Sequence, residues 1–159
     1  MRRFLILCAG LTSLLAFATV QANTPPDAST AGVNHVNTFV GEQHSSFTVK
    51  DNGPDSLDSG TFNYHNFTTG VSYNVNVVCV KVAGTRADFA FVIPAGAPDA
   101  GQLKVVSVID NGEPSTGPSP DQYGITAAST QSFACFLVNQ QSQPPISEVI
   151  TAGNIQVHS

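Results

Sequence analysis

Tryptophan is missing altogether, and the 159-residue chain has one methionine and six Lys or Arg residues. Each shortage excludes something. Sites that hold or cleave sugars commonly stack a ring on Trp, and an outer-membrane barrel carries aromatic girdles at both interfaces. Neither is served by three Tyr and no Trp, so a soluble fold is expected over a membrane barrel. Nucleic acids and anionic membranes need clustered Lys and Arg, and here the cations are few and scattered. No apolar run of spanning length occurs after the first twenty residues. There is no G-x-S-x-G elbow and no Ser-His-Asp set that chain order alone picks out.

What is present begins with an address. Arg2 and Arg3 precede an apolar run over residues 4–20, and Val20-Gln21-Ala22 supplies small or β-branched residues at the usual processing spacing. Residues 1–22 therefore read as a secretory signal peptide cleaved near Ala22, with a secreted, periplasmic or cell-surface destination. Removing them leaves four cations (Lys50, Lys81, Arg86, Lys104) against eleven acidic residues, a formal net charge of −7. It also leaves two cysteines, Cys79 and Cys135. An even count in an exported chain predicts one disulfide. Both cysteines fall on inward faces of strand patterns, so the bond is expected to join two strands across the core.

Residues 23–37 are polar and Pro-containing at their start and read as a flexible leader. From residue 38 to 159 the pattern is strand and turn, one β domain. Strand patterns cover residues 44–50, 60–68, 71–82, 87–93, 103–109, 123–127, 132–138 and 154–158. The change of phase from Leu103/Val105 to Val106/Val108 predicts a bulge. The fold class is all-β: a single antiparallel domain of about eight strands, a sandwich or a small closed barrel. Phe47, Phe62, Val75, Phe89, Phe91 and Phe133 are the expected core.

Three stretches carry a resemblance. They are V-K-D-N-G (residues 49–53) leading to G-T-F-N-Y-H (60–65), V-V-C-V-K-V-A-G-T-R-A-D-F (77–89), and V-S-V-I-D-N-G-E-P (106–114) with G-N-I-Q-V-H (153–158). In this order the chain resembles small exported bacterial β domains found alone or downstream of cell-surface "choice-of-anchor" modules. The resemblance implies an envelope location and a β fold. It implies no reaction and transfers no functional residue.

Chemistry has few candidates. Asp110, Glu113 and Asp121 gather carboxylates near one turn, the oxygen chemistry that calcium needs. The plainer reading is turn chemistry, because Asn-Gly adopts positive φ and Asp accepts from nearby N–H groups. Asp51-Asn52-Gly53, with Asp55 and Asp58 nearby, repeats the pattern. His44, His65 and His158 have the ligand type for zinc but no compact spacing. Asn66-Phe67-Thr68 fits the N-glycosylation pattern. The expected function is a non-enzymatic exported domain with a structural, adhesive or envelope-associated binding role, its partner a protein or glycan and its cofactor none. The alternative is a lipocalin-like small barrel with an apolar ligand in its interior. A hydrolase ranks third, since carboxylates occur in several loops.

Overall fold

The computed structural model describes residues 24–37, 39–112, 120–142 and 148–159. The signal-peptide reading (1–22) and Glu113 lie outside them. The described residues form nine antiparallel strands and one helix in the order β1 (Asp27–Asn37), β2 (Gly41–Lys50), β3 (Ser59–Asn66), β4 (Ser72–Ala83), β5 (Arg86–Val92), β6 (Leu103–Ile109), β7 (Gln122–Ala128), α1 (Gln131–Gln140), β8 (Val149–Ala152) and β9 (Gln156–His158). The sheet runs β7-β6-β5-β4-β3-β2-β1-β8, and β9 also pairs with β1. The all-β antiparallel expectation holds, and the sheet curls into a half-barrel.

The curl has local causes. Strand β4 carries a register shift between Val77 and Cys79, so its first half pairs with β3 and its second half with β5. A bulge of this kind bends a strand and raises its twist. Strand β1 shifts register between Thr30 and Val33. Its free edge then serves two partners, β8 against Asn34–Val36 and β9 against Asp27–Ser29. The curl brings β7 back to the start of β8, where Tyr123 and Glu148 form an isolated bridge and Glu148 N–H donates to Tyr123 O at 3.2 Å.

Aromatic packing fills one end of the interior. Phe47, Phe62, Phe89 and Phe91 are buried, with ring centroids 5.1 Å (Phe47–Phe89), 5.7 Å (Phe62–Phe89) and 4.7 Å (Phe62–Phe91) apart. A second cluster lies on the opposite face of the sheet, where Ala134, Leu137 and Val138 of α1 cover Cys79, Ala90, Leu103 and Val105.

Five expectations are corrected. Residues 27–37 are not a leader but the strand that pairs with β2, β8 and β9. Residues 132–138 are helical: Thr130 caps α1, its Oγ1 accepting from Phe133 N–H at 3.2 Å, and Ala134, Cys135, Leu137 and Val138 form the buried stripe. Phe133 is therefore outside the core, 46 % exposed. The disulfide is formed, with Cα atoms 5.7 Å apart, but it ties β4 to α1 on the outer face instead of crossing the interior. Finally, β6 pairs without interruption on both sides. Its apparent change of phase arises because Leu103 and Val105 face α1 while Val106 and Val108 face the interior.

Candidate functional site

Away from the phenylalanines the interior changes character. Period-two alternation places Gln43 and Ser45 of β2, Tyr64 and Asn66 of β3, Tyr73 of β4 and Ile125 of β7 toward the same space. Together with Val40, Val71, Ile93 and Lys104 several of them line a cavity of about 420 Å3. That volume falls in the range of small-molecule sites, about 300–1,000 Å3. Tyr64 and Tyr73 stack on one wall, centroids 4.9 Å apart and planes at 22°. Burial pushes both phenol pKa values up, a nearby Glu148 carboxylate adding to the rise at Tyr64 and Tyr64 itself adding to it at Tyr73. Both rings thus stay neutral and keep an O–H to donate.

Beside the cavity lies a buried polar group of four. His35 Nδ1 pairs with Glu148 Oε2, and His35 Nε2 shares a hydrogen bond of 3.0 Å with Ser45 Oγ. Ser45 Oγ donates to Tyr123 Oη at 3.4 Å, and the His35 ring stacks on Tyr123 at 4.2 Å. The four come from β1, β2, β7 and the residue before β8, so they join the two ends of the curled sheet. Burial raises the Tyr123 phenol well above its ordinary value, partly offset by Ser45 and reinforced by Glu148. The order carboxylate, imidazole, hydroxyl is that of a hydrolase triad. Ser45, however, has no exposed surface and is not in the cavity wall. Chain order gave no sign of this set, because its members stand at 35, 45, 123 and 148 and meet only through the curl.

The residues singled out in the sequence lie elsewhere. Asp110 and Asp121 do come together, at the β6–β7 end, and all four of their carboxylate oxygens accept backbone N–H groups. Asp110 takes Gly112 at 2.8 Å and Val157 at 3.1 Å; Asp121 takes Asn111 at 2.9 Å and Ile155 at 2.7 Å. Asp51 and Asp58 repeat the pattern. Asp51 takes Gly53 at 3.0 Å and Val82 at 3.1 Å, while Asp58 takes Asn52 at 2.9 Å and Val80 at 2.7 Å. Even the Asn side chains correspond, Asn52 donating to Leu57 O and Asn111 to Pro120 O, both at 2.8 Å. The carboxylates thus hold a strand that has outrun its neighbour, β4 in one copy and the approach to β9 in the other. Among the described residues, no three His, Cys, Asp or Glu side chains converge on one point. His44 and His65 are opposed on β2 and β3, whereas His158 pairs with Asp27 at 2.9 Å. Asn66 of the glycosylation pattern is 2 % exposed, its Oδ1 accepting from Thr68 and Thr69 N–H and its Nδ2 donating to Val40 O.

No family model, curated protein or solved structure matches this chain.

Proposed function

We propose that this chain is an exported, non-enzymatic β domain that holds a small, mainly apolar ligand in the tyrosine-walled end of its curled sheet. The observation that supports this is the division of the interior: phenylalanines fill one end, and a cavity of about 420 Å3 remains at the other. A purely structural domain has no need of that space, and closing it with larger side chains would add burial. The disulfide, and the fact that no described helix is long and apolar enough to cross a membrane, are compatible with an extracellular setting. The full burial of Ser45 favours binding over hydrolysis.

The neutral fluorophore N-phenyl-1-naphthylamine tests the reading. It should brighten on the native protein with micromolar affinity, about −8 kcal/mol. Ala127→Trp and, separately, Val71→Trp should abolish the signal by filling the cavity, at an unchanged far-ultraviolet spectrum. Equal brightening in both folded variants would place the probe elsewhere and defeat the proposal.

A second reading, presentation of a surface to a protein or glycan of the envelope, is favoured by Phe133 and Phe136, which stand 46 % and 55 % exposed on α1. Phe136→Ser should then weaken retention on purified envelope glycan without altering fluorophore binding.

A further inference from the structure

Lys104 is on the wrong face for a surface lysine. On β6, Leu103 and Val105 meet α1, and Val106 and Val108 belong to the interior cluster. Alternation therefore turns Lys104 inward. Its cross-strand partners are Phe91 and Ala127, and it lines the cavity with Ile93, Ile125 and Tyr73. Lys81 and Arg86 are ion-paired, with Asp51 and Asp88. Lys104 has no ion pair or side-chain hydrogen bond among the described residues. Lys104 is half-buried, and an ammonium beside apolar and aromatic walls gains when an anion meets it. In a chain with six Lys and Arg residues in all, one of them is directed into the cavity of about 420 Å3.

We infer that the ligand is an anionic amphiphile: a carboxylate on an apolar chain or ring. The Lys104 ammonium pairs with the carboxylate through charge-assisted hydrogen bonds. The Tyr64–Tyr73 stack and Ile125 cover the apolar body. The other charged side chain lining the cavity is Asp99, on the exposed β5–β6 loop. It makes no ion pair with Lys104 in this structure, and as a like charge to the ligand it opposes entry. The inference rests on the cavity reading above, and the experiment separates the two.

Decanoate, decanol and decyltrimethylammonium are each titrated against protein loaded with N-phenyl-1-naphthylamine at neutral pH and low salt. Decanoate should displace the probe about tenfold more tightly than decanol, and the cation least well. Lys104→Met keeps the apolar stem and removes the charge. It should erase the decanoate preference, decanol then binding at least as tightly as decanoate, while the probe still binds. Asp99→Asn should strengthen decanoate alone. Equal binding of decanoate and decanol to the native protein, or a decanoate preference that survives Lys104→Met, overturns the anionic assignment and leaves the cavity reading standing. Absence of probe binding to the native protein overturns both.

Discussion

Four aspartates govern how strands end in this molecule. Asp51 and Asp58 differ in a way that pH can expose. Burial tends to push the Asp51 carboxyl up, but hydrogen bonds from Val82 and Gly53 N–H and from Lys81 outweigh it, and the net pKa lies below the ordinary 3.8. The native state then binds fewer protons than the unfolded chain, so this contribution is present above the unfolded value and is lost as pH falls through the folded one. Asp58 goes the other way: burial dominates, its bonds to Val80 and Asn52 offset part of it, and the neighbouring Asp51 and Asp55 charges raise it further. Its contribution is complete below the unfolded value and fades as pH rises through the folded one. Asp51→Asn should therefore cost about 2 kcal/mol near neutral pH, by setting an amide against N–H donors. The deficit should shrink under acid. Asp58→Asn should cost about half as much at neutral pH. Urea denaturation across the acid range checks both, and equal deficits at every pH would remove the argument. Sequence chemistry did identify Asp51-Asn52-Gly53 and Asp110-Asn111-Gly112 as turns, with Gly53 at φ 93° and Gly112 at φ 92°. Their strand-holding role was hidden, because Val80, Val82, Ile155 and Val157 contribute only backbone, which leaves no trace in residue type.

At the scale of elements, the helix is the lesson. Phe133, Cys135 and Leu137 alternate as a strand would, and that alternation masked the apolar Ala134 and Val138 that complete a helical stripe. Thr130 before the run was the available cue. Strands β2 to β7 were legible because turn residues bound them and one face of each is buried. Strand β1 was not, since Asp27–Thr30 is polar and small and owes its state to partners on both edges. The helix depends on its cap and its staple. Thr130→Ala should cost about 1 kcal/mol. Replacing Cys79 and Cys135 together by Ala should cost about 4 kcal/mol in the chain-entropy account for a loop of this span. Amide exchange over residues 131–140 should accelerate in both variants, and faster exchange confined to the β2–β3 pair would contradict this placement of the staple.

The molecule as a whole is held closed by few contacts between the ends of its sheet. The His35–Glu148 pair, with Ser45 and Tyr123, is one buried part of that closure, and the Asp121 bond to Ile155 N–H is another. Glu148→Ala strands a buried imidazole and should destabilise by about 3 kcal/mol, with amides of β1 and β7 losing protection first. Glu148→Gln, which keeps the shape, should lose less. If both variants melt with the native protein, the pair does not fasten the sheet. The candidate site shared this difficulty of reading: Tyr64 and Tyr73 fall in legible strand patterns, but a cavity between strands distant in sequence has no signature in either one.

Strand β1 also sets a timetable. Its pairing with β2 is local and can form as soon as residue 50 is available, across a short turn. Its other edge waits for residues 149–158, more than a hundred positions later: Thr30 Oγ1 bonds to Asn154 O at 2.6 Å, and Asp27 meets His158. Until then the nascent sheet carries an open strand edge, the kind of surface on which chains mispair. Closing it requires a contact of long sequence separation, which slows folding. Substitutions at residue 153, where a Cβ would meet Gly32 O, should thus lengthen the vulnerable interval and lower the yield of native protein before they alter any finished contact of the cavity.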